Sequence, residues 1–565
     1  MGSDTSHAGG VRDTGGNSAT HLVTNQPPPL VDYNIYEVDV VLRESFEREA
    51  AAVGGGGEGA NGEILSIGEI AGSAKAQMWA QQANENTPKL RSHDRFGHRI
   101  DMVEYHPAYH ELMRTACEHG LHAAPWVDSE PAAHLRRAAK VISWYQADPG
   151  HVCPISMTYS SIPALRHEPE LARHVEPRLT SRDYDPTYGP MDAKTGATAG
   201  MGMTEKQGGS DVRANSTIAT RSSVEGGYHL RGHKWFVSAP MSDGFLMLAQ
   251  APEGLSCFWV PRWKPDGERN PFAIQRLKDK LGDRSNASSE VELDGTWGQL
   301  VGEEGRGVRT IIEMVNHTRL DCSLGSASNM RAATAQAIWH CAHRRAFGRD
   351  LIDQPLMQNV LADLALESEA ATTAVMRLAR TFDHPDDERE QLLARILLPV
   401  IKYWTCKRAP QHVVEALECF GGNGFIEEGP MPRLLRQSPV NGVWEGSGNV
   451  ICLDMLRAIA RSPESYEVFC DEVRRYSEGD VQIAARLDKI ALWLTDLDVV
   501  EWRARRIVED MALVFQAALL HAVAPTYVSD AFIHTRLGGE PARAFGTLPL
   551  GVEAKAIIGR AQPVT

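Results

Sequence analysis

The chain has 565 residues, 42% of them hydrophobic and 23% charged, with a formal net charge of −15; that suffices for roughly three or four packed domains of ~150 residues each, and it opposes nucleic-acid binding unless cations gather on one face. Nine scattered cysteines without a C-x-x-C pair give neither a disulfide framework nor a zinc knuckle, and they suit a reducing cytoplasm. No apolar run approaches the ~20 residues of a membrane span, and the opening MGSDTSHAGGVRDTGG lacks the basic start and apolar core of a signal peptide.

Residues 1–30 are rich in Gly, Ser, Thr and Asn and end in Pro27 to Pro29, a composition expected of a flexible arm. A second glycine-rich stretch, Gly54 to Gly62, reads as a loop tip between helical segments. The region 31–198 is expected to be a helical domain, because apolar residues recur three and four apart in ILSIGEIAGSAKAQMWAQQ and HPAYHELMRTACEHG. Across 199–305 the texture changes to short runs such as YHLRGHKWFVSA, FLMLAQAP and LSCFWVPR, parted by Gly, Pro and Asp, which predict a compact antiparallel β domain. Helical periodicity returns over 306–461, interrupted at GGNGF, and predicts a bundle. Beyond Ser462-Pro463, the spacing of Ile483, Leu487, Ile490, Leu494 and Leu497 predicts at least two more amphipathic helices over 462–565. The whole is an α+β multidomain chain in the order α, β, α, α.

The sharpest local signal is GMGMTEKQGGSDVRAN, Gly200 to Asn215. Paired glycines beside Ser210 and Asp211 let the backbone approach a ligand while small polar groups supply hydrogen bonds. The spacing is neither a dinucleotide-binding glycine fingerprint nor a P-loop, and such a stretch by itself is commonly only a turn. His229 and His233 stand four apart in a strand pattern with no third ligand, so no metal is expected. No Ser-His-Asp arrangement can be claimed from spacing alone.

Five motifs follow in order: MTEKQGGSD, HKWFVS, RRAFG, FGGNGF and VWEGSGN. In order and approximate spacing they resemble the acyl-CoA dehydrogenase flavoproteins, and MTEKQGGSD, NQPPPL, RLKDKLGDRSNASSEVE and the extra C-terminal helices resemble the AidB-like, alkylation-response branch. The resemblance implies FAD. It implies a flavin-facing loop at Met201, Gly202, Met203, Thr204, Gly208, Gly209 and Ser210, with Trp235, Phe236 and Val237 covering the ring; the family usually has Thr where Val237 stands. Arg344, Phe347, Gln354, Gly421 and Gly422 resemble segments that reach the FAD of a neighbouring subunit, which implies a homo-oligomer, typically a tetramer. Trp444, Gly446, Ser447 and Asn449 flank the implied catalytic base, Glu445, and complete the cofactor set.

The implied reaction needs a carboxylate beside the substrate α-carbon, removing a proton while hydride leaves the β-carbon on the opposite face. Burial beside tryptophan would raise that carboxylate's pKa. A glutamate at this place could equally serve only the helix N-terminus that follows, worth roughly 0.3–1 kcal/mol. Some relatives carry their base in the segment that is HTRLD here; the matching residue is Thr318, beside Arg319, and it cannot act as one.

Two functions follow as expectations. One is α,β-dehydrogenation of a short or branched acyl-CoA, isovaleryl-CoA being the type, with electrons leaving through an electron-transfer flavoprotein. The other is a flavoprotein that occupies double-stranded DNA and protects it from alkylation. Residues 461–565 carry 12 Lys+Arg against 15 Asp+Glu, which argues against a DNA-coating domain. A local stripe of Lys402, Lys407, Arg408, Arg433, Arg436, Arg457 and Arg461, with Arg503, Arg505 and Arg506, keeps the second expectation open.

Overall fold

The computed structural model describes residues 20–55, 61–223, 226–538 and 544–563; residues 1–19 of the expected arm, and most of the Gly54 to Gly62 stretch, lie outside them. The described part of the arm is not loose. Asn25 Nδ2 donates to the Arg345 carbonyl (2.9 Å), Arg345 N donates to Asn25 Oδ1 (2.9 Å), and Trp339 Nε1 donates to the Pro28 carbonyl (2.8 Å). Thus residues 25–28 are pinned to the bundle by hydrogen bonds, which composition does not reveal.

Helices fill the N-terminal region as expected, several begun by a recognisable device. Ser73 caps Ala74–Glu85 by accepting from Ala76 N, and Asp148 caps Pro149–Leu165 by accepting from His151 N. One departure is a hairpin, β1 (Lys89–His93) and β2 (Arg99–Glu104), turning at Gly97 with φ +85°. Charged residues dominate its strands, but Val103 is buried in the core of the middle domain and Leu90 packs against that core.

The middle domain comprises β3 (Ala199–Gly202), β4 (Ile218–Arg221), β5 (Gly227–Ser238), β6 (Gly244–Ala251), β7 (Gly254–Pro261), β8 (Ala273–Leu277) and β9 (Ser288–Val301). The order β6-β4-β5-β9-β7 closes on itself through the β6–β7 pairing. Pairing is antiparallel, as expected, except for β3–β6 and β4–β6, which are parallel. Phe245, Phe258, Val260 and Ile274 fill its interior.

The bundle is built on Gly307–His343, Pro355–Arg380 and Glu388–Glu418, followed by Gly448–Arg461. Five further helices, from Pro463–Tyr476 to Ala554–Ala561, extend it. One continuous apolar core runs from Ile35 through the bundle to Ile558. The N-terminal helices, the bundle and the C-terminal helices are therefore one packed body. A charged seam joins them: buried Arg377 meets Glu390 (2.8 Å) and Glu472 (2.5 Å), while Arg380 meets Glu49 (2.8 Å).

A smaller apolar cluster lies where Pro149–Leu165, the start of Gly307–His343 and the sheet come together. Cys153, Met157, Leu246, Ile311 and Met314 form it, and Met201, Met203 and Trp444 pack on its border. This seam positions the site.

Candidate active site

The loop Val443–Ser447 leaves the bundle and turns into Gly448–Arg461. Glu445 adopts φ +59° and Gly446 φ +108°; a left-handed glutamate stores of order 1–3 kcal/mol and persists only where its surroundings fix it. Two cations do so. Lys402 Nζ donates to the carbonyls of Trp444 (2.9 Å) and Gly446 (2.6 Å), and Arg319 Nε donates to the carbonyl of Glu445 (3.0 Å). Arg319 is itself held by Asp454 (2.8 Å), which also takes Arg395 (3.0 Å). Trp444 is fixed by a bond from Nε1 to Asn441 Oδ1 (2.9 Å), and Asn441 donates to the Tyr145 hydroxyl (3.1 Å).

Within that frame the carboxylate is poorly served. Glu445 Oε2 is buried without a hydrogen-bond partner among the described residues. Desolvation pushes its pKa above the ordinary carboxylate value, opposed by the Arg319 charge, the Thr318 hydroxyl and the Lys402 charge. Thr318, whose position in some relatives carries the base, is buried and donates to the Val315 carbonyl (3.0 Å).

The loop Met201–Ser210 borders the same seam. Its shape depends on a pair that sequence reasoning passed over: Glu205 and Lys234, both buried, meet at 2.8 Å, and Glu205 also accepts from Ser216 N (2.7 Å) and Thr217 N (3.2 Å). The carbonyl of Thr204 takes Trp235 N (2.8 Å), tying the loop to β5. Gly208 has φ +147° with open space beside it, whereas a Cβ at Gly209 would come within 2.8 Å of Thr204 Oγ1; Ser210 is exposed.

The Trp235 to Val237 run is split by its surroundings. Phe236 is half-exposed, and Lys278 Nζ sits 3.2 Å from the centre of the half-buried Trp235 ring. Val237 is fully buried in the barrel interior, so its side chain faces away from the loop, and only its backbone could meet a ring there. His233 Nε2 accepts from Lys206 N (2.9 Å), a structural use.

The remaining expected residues lie elsewhere. Arg344 ends Gly307–His343, about 38 Å from Arg319 at 1.5 Å per residue. Beside it Phe347 is 96% exposed at φ +53°, Gln354 Nε2 donates to the Ala346 carbonyl (3.0 Å), and Gly421 and Gly422 border open space. This second group cannot touch a ligand seated at Glu445 of the same subunit.

Asn449 opens the helix after Glu445 and accepts from Arg505 Nε (2.7 Å), a contact from the C-terminal helices. The basic stripe drawn from the sequence is split: Lys407, Arg457, Arg461, Arg505 and Arg506 are exposed, and the others are not. Lys402 is buried, Arg433 donates to the Ala147 carbonyl (2.9 Å), Arg408 pairs with Glu367 (3.1 Å) and Arg436 with Glu427 (2.6 Å).

Half-exposed Phe236, the open space at Gly208 and the methionines bordering the Met201–Ser210 loop fit a flat polar-edged cofactor, and a guanidinium such as Arg344 fits pyrophosphate. Among the described residues no helix is long and apolar enough to cross a membrane and no cluster could hold a metal ion.

Three family descriptions match the chain: the adaptive response protein AidB N-terminal domain over residues 25–186, the acyl-CoA dehydrogenase middle domain over 200–296, and the acyl-CoA dehydrogenase C-terminal domain over 305–460. The putative acyl-CoA dehydrogenase AidB of Escherichia coli (strain K12) is 45% identical over 455 residues, covering 80% of this chain and 83% of that one. The crystal structure of Caenorhabditis elegans ACDH-11 in complex with C11-CoA superposes with a TM-score of 0.82 at 26% identity, covering 91% of this chain and 93% of that one. A glutaryl-CoA dehydrogenase from Mycobacterium smegmatis in complex with FADH2 shares the fold, with a TM-score of 0.58 at 18% identity over 76% of this chain and 98% of that one.

Proposed function

The chain belongs to the acyl-CoA dehydrogenase family, in its AidB-like branch, and from that premise we propose that it is an FAD-dependent acyl-CoA dehydrogenase with Glu445 as its base. The observation that carries this reading is the unpartnered Oε2 of Glu445, a strong proton acceptor on a loop locked by Lys402 and Arg319. The substrate class is a short or branched acyl-CoA of the isovaleryl-CoA type. FAD, when bound, supplies the acceptor for the hydride that leaves the β-carbon.

What the chain's own residues do follows from the geometry. Lys402 and Arg319 fix the carbonyls of residues 444 to 446, so the carboxylate is oriented before substrate arrives. Their charges also keep its raised pKa from rising further, and it must be ionised to take the α-proton. Trp444 bounds the apolar side, where acyl carbons can replace water.

The second group, Arg344, Phe347, Gln354, Gly421 and Gly422, then serves the FAD of a neighbouring copy, in a homotetramer whose electrons pass to an electron-transfer flavoprotein. Its distance from Glu445 and the exposure of Phe347 support this. DNA occupancy is the weaker reading, because Lys402, Arg408, Arg433 and Arg436 are already engaged within the fold.

The test is anaerobic bleaching of the flavin by acyl-CoA thioesters of graded length and branching. Glu445→Gln should slow bleaching by about 10²–10⁴-fold; an unchanged rate would show that the base lies elsewhere. In the wild type the rate should fall as pH drops through the raised pKa of Glu445, above the usual carboxylate range.

A further inference from the structure

A second set of buried polar groups lies next to the base and takes no part in the steps above. Asp283, 5% exposed at φ +50°, has no hydrogen-bond partner for either carboxylate oxygen among the described residues. Asn286 (2% exposed) has an unpartnered Oδ1, and Gln437 (1% exposed) an unpartnered Oε1 and Nε2. Asp283 and Asn286 lie on a loop in contact with the end of the helix Met431–Gln437: a Cβ at Gly282 would fall 2.2 Å from the Arg436 carbonyl and 2.9 Å from Gln437 Cα. From Gln437 the chain runs directly through Asn441 and Trp444 to Glu445.

Their neighbour Asp148 shows how this interior satisfies a carboxylate when the role is structural. It accepts from Asn84 Nδ2 (2.7 Å), His151 N (3.0 Å) and Ser285 Oγ (2.7 Å), and it sits well below its ordinary pKa, the His151 bond and charge leading against desolvation. Asp283 is held up to about 7 by burial, with Lys280 opposing and Asp148 reinforcing. A buried acceptor left unmade costs about 1–3 kcal/mol; here four such acceptor atoms and one donor share a junction.

The junction adjoins the apolar seam. A Cβ at Gly150 would fall 3.3 Å from the Asp283 backbone, and one turn further along the same helix Cys153 is part of that seam. The Tyr145 hydroxyl feels Asp283 and binds Asn441, which holds Trp444.

We propose that Asp283, with Asn286 and Gln437 beside it, is a specificity-determining group that accepts a hydrogen bond from a donor carried on the acyl chain, so the enzyme prefers hydroxylated over plain acyl-CoA thioesters. The inference rests on the dehydrogenase reading. A site with buried unpaired acceptors rejects a substrate that lacks the matching donor far more strongly than an apolar pocket rejects a missing methylene.

The experiment compares flavin bleaching by ω-hydroxyacyl-CoA thioesters with their unsubstituted counterparts of equal length, in the wild type, Asp283→Asn and Asp283→Leu holoenzymes. For at least one chain length the wild type should favour the hydroxylated member in kcat/KM by at least about tenfold. Asp283→Leu should invert that ratio, and Asp283→Asn, which keeps an acceptor, should retain part of it. A wild-type ratio near one at every length overturns the proposal even if the variants fail to fold. So does an unchanged ratio in a folded Asp283→Leu protein. Failure of every thioester to bleach the flavin would instead sink the dehydrogenase reading itself.

Discussion

Two buried clusters of carboxylates treat their charges in opposite ways. At the seam between the bundle and the C-terminal helices, Glu472 takes Arg377 on one oxygen and Arg389 on the other, and Arg380 bridges Glu390 and Glu49. Partnership wins over burial there: despite desolvation, the Arg377 charge and its bond hold Glu472 below the usual carboxylate value. At the junction of the 280–286 and 436–446 segments, Glu445 and Asp283 keep unpartnered oxygens and stand above it. The first cluster holds three parts of the chain together, while the second stores unmet hydrogen bonds next to the site. A buried acid's partners, rather than its burial, separate a structural role from a chemical one.

That contrast can be broken by substitution. The largest effect belongs to the partnered cluster: Glu472→Ala leaves Arg377 buried beside a missing charge and should cost about 3–5 kcal/mol in denaturant unfolding, and a loss below about 1 kcal/mol would mean that the network is decorative. Asp283 should behave in the opposite sense. Its folded pKa, about 7 against 3.8 unfolded, means that the folded state holds the proton more tightly. Its contribution is fully present below about pH 4 and is lost as pH rises through about 7, to an extent of about 4 kcal/mol at 1.36 kcal/mol per unit. Asp283→Asn should flatten that decline and melt higher than the wild type at pH 8; equal melting temperatures there would place a partner on Asp283. The smallest effect belongs to the arm. Asn25→Ala removes hydrogen bonds to the Arg345 backbone and should cost about 1 kcal/mol, read best as faster proteolysis near residue 25; unchanged cleavage would mean that other contacts hold the arm.

The order of helical and β regions was legible in the sequence, because periodicity reports it directly, and ordered motifs marked Glu445 as the candidate base. The hairpin at Lys89–Glu104 was not, since its few apolar residues, Leu90 and Val103 among them, are set between charged ones and only Gly97 marks the turn. The domains looked separable because an apolar stripe at three- and four-residue spacing does not say which partner covers it; Ile483, Leu487 and Ile490 in fact join the core of the bundle. Charges misled most. Lys402 and Arg433 read as surface cations, yet each is spent on backbone carbonyls around the site. A lysine's address is invisible until the helices are packed. Val237 likewise follows the flavin-covering motif in sequence but points into the barrel, because the shift in β5–β9 register between Lys234 and Val237 sets its facing.

The bond from Arg505 to Asn449 ties the last helices to the first turn of the helix that follows Glu445, and a Cβ at Gly448 would come within 3.3 Å of Tyr403 and 3.6 Å of Arg505. The C-terminal extension is therefore a buttress rather than an appendage: shortening the chain to the length of its bundle would unseat the footing on which Glu445 is aimed.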